Sequence, residues 1–222
     1  GNYAMVASRY RARGMPERAI QTYLRDRAAV GERTAFAIDL AGLYEEQRRY
    51  GEAIGEYLLL LNTSYPTAEA RVSELGRQED AVGPVLTALS DAVRAAPDDA
   101  ARMRLLTGYS LSVGKPDAAL AAFAGMGRRD AAAEGMLIQI AAQCGEGGAH
   151  ATALSAYRML IERFPSSAFL PQAHLGAARA EEGLGRADRA LGLYDEVRRR
   201  FPGGGEAQEA CFRAGEIRRR LK

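Results

Sequence analysis

Tryptophan is absent from the 222 residues, and cysteine and histidine occur only twice each. Lysine is scarce too: Lys115 and Lys222 are the only lysines among 30 basic residues, a bias read as GC-rich codon usage rather than selection for phosphate recognition. Two lone cysteines, Cys144 and Cys211, provide no disulfide framework and are expected as small core side chains in helices. Neither His150 nor His174 has a Cys, Asp or Glu three or four residues beyond it, the spacing that builds a helical metal site. Neither belongs to a nucleophile–histidine arrangement. No metal ligand and no catalytic residue is therefore assigned. The glycine clusters at 125–127 and 145–148 lack a preceding strand and the Gly-Lys-Ser/Thr ending of a phosphate loop, so no cofactor is expected. No apolar run approaches the ~20 residues of a membrane helix; the longest aliphatic run covers 58–61, and no membrane insertion is expected. The net charge of +2 gives no global field favouring nucleic acid, and none is expected as a partner.

What is present is a period. Residues 184–202 read as a turn, an amphipathic helix and a proline stop, and 148–165 repeat nearly the same text. With Ala190 as anchor, the matching positions are Ala19, Ala53, Val85, Ala119 and Ala153, spaced by about 34 residues, as in repeat architectures. Directly after the anchors stand Ile20, Ile54, Leu86, Leu120, Leu154 and Leu191. Four residues after them stand Tyr23, Tyr57, Leu89, Phe123, Tyr157 and Tyr194. An i, i+1, i+4 apolar stripe is the buried face of a helix. Thirteen residues before the anchors, Val6, Leu40, Val72, Leu106, Ile140 and Ala177 mark a partner helix. Its next column, Ala7, Ala41, Ser73, Thr107, Ala141 and Ala178, is small enough for close helix approach. Five before the anchors lie Gly14, Arg48, Asp80, Gly114, Gly148 and Gly185, expected as turns. Pro66, Pro97, Pro165 and Pro202 are expected to close second helices.

These small, aliphatic, aromatic and proline columns resemble the tetratricopeptide repeat family over essentially the whole chain. The third copy is the weakest, with Val85 as anchor and Glu69 and Gly76 where bulky residues are usual. The family's tryptophan is missing; Tyr3, Ala37, Met103, Leu137 and His174 stand at its position. The resemblance implies an all-α, right-handed superhelical solenoid of about six helix pairs: 1–31, 32–66, 67–97, 98–130, 131–165 and 166–202. A glycine-rich link and a capping helix follow at 203–222, with Ala207, Ala210, Cys211, Ala214 and Ile217 on its inner face. Copies five and six look like repeats of bacterial envelope-assembly coordinators, implying a periplasmic or cell-envelope home rather than a cytoplasmic one. The chain lacks an initiator methionine and starts mid-helix at 1–3, as expected of a processed or excised chain.

Two carboxylate pairs, Glu45-Glu46 and Glu181-Glu182, are expected on solvated faces, because neighbours on a helix point ~100° apart. Glu181 is the odd residue, since its column elsewhere holds Tyr10, Tyr44 and Cys144. If it is buried, Arg213 or Arg218 of the cap is its expected partner. The arginine triplets at 198–200 and 218–220 end helices, where cations complement the dipole.

In this family the concave surface is lined by first helices and takes an extended peptide or a helix. The candidate lining is Ile38, Glu45, Glu74, Arg77, Arg104, Leu111, Ile138, Ala142, Leu175, Arg179 and Glu182. It lacks the Lys and Asn clamp for a C-terminal carboxylate that chaperone-binding members carry. The resemblance implies a non-enzymatic protein–protein interaction scaffold that binds a peptide or helix of a partner. Alternatives are an interaction domain of a larger multidomain protein and a self-assembling, homo-oligomeric scaffold.

Overall fold

The computed structural model describes residues 2–127 and 129–221, with the side chains of Asn2 and Tyr3 left aside. Expectations resting on Gly1, the Tyr3 side chain and Lys222 lie outside the described residues. Among those residues every regular element is an α-helix, and the chain divides into two compact units, Gly1–Ala95 and Ala96–Lys222.

The first unit contains α1 (Asn2–Ala12), α2 (Pro16–Val30), α3 (Ala37–Glu46), α4 (Tyr50–Leu59), α5 (Tyr65–Leu75) and α6 (Glu79–Ala95). α1 packs on α2 and α3 on α4 as hairpins. Their cores are the expected columns: Ala7, Ala19, Tyr23, Leu40, Ala41, Ala53, Ile54 and Tyr57 are buried. Val6 departs from its column at 39% exposed.

The third copy differs from the others. α6 packs chiefly on α4 rather than on α5. The helix begins at Glu79 and carries Pro84 inside. Asp80 therefore lies within a helix instead of in a left-handed turn, while Gly14, Arg48, Gly114, Gly148 and Gly185 all have positive φ. Without that turn the α5–α6 hairpin does not close tightly. Pro66 also corrects its assignment. α4 ends at Leu59, and Pro66 sits in the first turn of α5, where a missing N–H costs nothing.

The second unit contains α7 (Ala100–Ser112), α8 (Asp117–Gly125), α9 (Ala131–Glu146), α10 (His150–Arg163), α11 (Leu170–Gly183), α12 (Ala187–Arg200) and α13 (Gly205–Arg220). Asp99 caps α7 by accepting from the Ala101 and Arg102 amides, and Asp130 caps α9 by accepting from Ala133. From α9 to α12 each helix packs on the one before and the one after, and α13 packs on α12, the nearest-neighbour stacking of a helical solenoid. The anchors Ala119, Ala153 and Ala190 are fully buried, as are Phe123 and Tyr194 four residues on from the first and last of them. α13 covers the last pair with Ala210, Ala214 and Ile217, packed with Tyr194 and Val197. Cys144 is buried as expected, whereas Cys211 is exposed: it lies beside Ala210 on the outer side of α13, and both thiols are free.

Candidate binding groove

In the second unit α9, α10, α11 and α13 enclose a half-open groove of about 620 Å³. Its floor is made by close approach of α10 to α11. A Cβ on Gly176 would stand 2.2 Å from the Tyr157 ring, and one on Gly183 would stand 2.5 Å from His150. Glycine at these two α11 positions lets both rings lie directly on the helix backbone. Ala142, Leu175 and Ala180 add small apolar surface.

Ion pairs bound the groove. Arg179 of α11 donates through Nε to Glu209 of α13 at 2.8 Å. Arg220 donates to Glu182 at 2.7 Å, and the Tyr194 hydroxyl donates to the same carboxylate at 2.7 Å. Burial pushes the Glu182 carboxyl up, but the Tyr194 and Arg220 bonds outweigh it and hold it below the ordinary carboxylate range. The Tyr194 phenol is pushed up, first by burial and then by its bond to Glu182. Among the described residues, the Tyr157 hydroxyl, Gln172, His150 and Glu146 of the lining make no protein hydrogen bond or ion pair.

A second groove of about 400 Å³ lies in the first unit. Arg11, Ile38, Asp39, Gly42, Glu45 and Tyr57 line it, with Glu46, Arg71 and Gln78 at its edge. Tyr57 donates to Glu45 at 2.5 Å. Burial and that bond push the Tyr57 phenol up. Arg11 donates through Nε to Glu46 at 2.9 Å.

The eleven lining residues expected from sequence thus separate. Ala142, Leu175, Arg179 and Glu182 meet in the second unit's groove, and Ile38 and Glu45 in the first unit's. Glu74 and Arg77 are exposed beyond the first groove, Glu74 pairing with Arg71 at 3.6 Å. Arg104 is exposed on α7. Leu111 is half-buried beside the Gly147 turn, and Ile138 is buried in the core. Sequence reasoning missed Tyr157, His150 and Arg220; the tyrosine column and the glycines facing it were the available signal.

Glu181 corrects its expectation. It is 1% exposed, and its partners are Arg158 of α10 at 3.1 Å and Arg186 of the α11–α12 turn at 3.2 Å. The carboxylate faces back toward α10, so neither Arg213 nor Arg218 reaches it; Arg218 pairs with Asp195 at 2.8 Å. His174 is buried against Phe201, ring centroids 5.4 Å apart, with Nδ1 3.8 Å from Glu196. Burial first, then the Arg200 charge, hold its imidazole below the ordinary value, against the opposing Glu196 charge. Among the described residues no three His, Cys, Asp or Glu side chains converge as a metal site, and no helix is long and apolar enough to cross a membrane.

Residues 117–167 and 172–204 match the family model of the tetratricopeptide repeat. The match supports that family and falls on α8 to α12, the helices that carry most of the larger groove. Tetratricopeptide repeats mediate protein–protein interaction and are typically non-enzymatic scaffolds. No curated protein matches the sequence. Solved structures similar to it include the MamA protein, at 18% identity, covering 76% of this chain and 92% of that chain, with a TM-score of 0.35. The TPR2AB domain of yeast Sti1, in a structure titled as a pHSP90 complex, is 16% identical, covers 97% of each chain and has a TM-score of 0.39. The pilF protein of Pseudomonas aeruginosa is 17% identical, covers 96% of each chain and has a TM-score of 0.34.

Proposed function

We propose that this tetratricopeptide chain is a non-enzymatic scaffold that holds an extended peptide or a helix of a partner in the groove of its second unit. One observation carries the reading. The Tyr157 hydroxyl, Gln172, His150 and Glu146, which lack partners among the described residues, line one cleft with a floor of small apolar residues. Recognition sites combine apolar lining with a few convergent polar groups in this way, and about 620 Å³ lies within the usual size range of such sites. The ion pairs Arg179–Glu209 and Arg220–Glu182 link α11 to α13 along the edge of the cleft.

Selection of a phage-displayed peptide library on the full chain tests the proposal, with Ala142→Arg as the variant whose side chain fills the cleft. Peptides retained by the wild type and lost by Ala142→Arg support it. Peptides that bind both equally place recognition elsewhere and overturn it.

A further inference from the structure

We propose that the groove of the first unit is a second, separate binding site, which seats an arginine side chain of a protein partner on the Glu45 carboxylate. The inference goes beyond the second unit's groove and stands independently of it.

The two grooves are built on the same columns. Glu45 and Glu182 each stand eight residues before their anchor, and Tyr57 and Tyr194 each stand four after it. Each tyrosine hydroxyl donates to its glutamate, at 2.5 Å in the first unit and 2.7 Å in the second. In the second unit the other carboxylate oxygen, Glu182 Oε1, takes the Arg220 guanidinium at 2.7 Å. Arg220 comes from the last turn of α13, a helix of 16 residues. α5 follows α4 as α13 follows α12, but it has 11 residues and ends at Leu75. Its own Arg71 lines the groove and its charge acts on Tyr57, but it makes no ion pair with Glu45. Of the groove's two arginines, Arg11 is held by Glu46, whereas Arg71 stands 3.6 Å from Glu74 on its own helix, a loose pair of half-exposed side chains. Glu45 therefore has one oxygen on Tyr57 and the other without a partner among the described residues. Asp39 on the rim makes no ion pair there either.

The molecule thus contains both the empty and the filled form of one device. The filled form shows that the group it accepts is a guanidinium. Ile38, 43% exposed beside Glu45, offers apolar surface to the methylene stem that arginine buries while its charged head makes the bond. Charge-assisted bonds to a planar guanidinium are stronger and more directional than those between neutral groups, so complementarity of charge and shape both select arginine.

The test is an NMR titration of the full chain with N-acetyl-arginine-N-methylamide, with the leucine analogue as control. Saturable shifts of the Gly42 and Glu45 amides are expected with the arginine compound alone. Glu45→Gln should weaken them by about tenfold or more. Because Glu45→Gln also alters the Tyr57 bond, a second variant leaves the first unit untouched: Arg220→Ala should open Glu182 and create a second saturable site there. The proposal is overturned by absence of saturable shifts at Gly42 and Glu45, by equal shifts with the leucine analogue or in Glu45→Gln, or by no new site in Arg220→Ala. If the library selection through Ala142 fails, these readouts in the first unit do not change, so the two proposals fail separately.

Discussion

A methyl group on Gly176 would collide with the Tyr157 ring, whereas one on Gly192 of α12 would meet nothing within 4 Å. Alanine is the better helix former by ~1 kcal/mol at an open position, but overpacking a tight contact costs about 1–3 kcal/mol. The same substitution should therefore have opposite signs: urea denaturation should show Gly192→Ala gaining ~0.5–1 kcal/mol and Gly176→Ala losing ~1–3 kcal/mol. A gain at Gly176 would mean that the Tyr157 ring moves freely and does not define the groove floor. His174 provides a pH-dependent counterpart. Its folded pKa is depressed from 6.5 by burial, so the unfolded chain binds the proton more readily. Its stability contribution is intact above 6.5 and is lost as pH falls from there through the lowered folded value. Denaturation midpoints of the wild type should drop between pH 7 and 5, and His174→Leu should flatten that drop; parallel curves would remove the assignment. At this scale the sequence showed most of the buried positions, because each column is a chemical average over copies, although Val6, Ser73 and Cys211 are exposed. It did not show the partners of Glu181, because Arg158 and Arg186 come from two other elements whose approach no column encodes.

Turn geometry decides how well each helix pair closes. Five of the six turn positions are left-handed, and one of them is Arg48, with φ 56°. An L-residue there costs about 1–2 kcal/mol relative to glycine's freedom. The surface pair Arg48–Asp80, with the Arg48 side chain 76% exposed, returns little. Arg48→Gly should therefore stabilise the chain by ~0.5–1 kcal/mol in thermal or urea unfolding; a loss of stability would show that the Asp80 pair matters more than the strain. The sixth position, Asp80, explains why the third copy was misjudged. The sequence placed a turn where proline follows, but proline sits within α6, whose first turn extends ahead of it. With no glycine to reverse the chain, α6 packs on α4 instead. The groove was legible to the same extent as the turns. Ala142, Leu175, Arg179 and Glu182 come together in one cleft where the pairs close well, whereas Glu74 and Arg77 of the third copy are exposed outside it.

Each unit carries its own fully buried side chains, Leu40, Ala53 and Val72 in one and Leu106, Ala153 and Leu160 in the other. A repeat chain is stabilised by neighbouring pairs rather than by one global core, so cooperativity extends only as far as well-packed interfaces continue. In the second unit they continue from α9 through α13; in the first they end at the irregular α6. Two unfolding transitions are therefore expected in urea by far-UV circular dichroism. Leu40→Ala should lower one of them by ~2–5 kcal/mol and leave the other in place, and Leu160→Ala should do the converse. A fragment of residues 96–222 should fold alone and reproduce the transition that Leu160→Ala moves. A single transition shifted as a whole by either substitution would show instead that the two units fold as one body. In that case occupancy of the Glu45 groove and of the larger groove would be coupled through stability. Separate transitions would leave the two grooves free to bind independently, as a scaffold holding two partners at once requires.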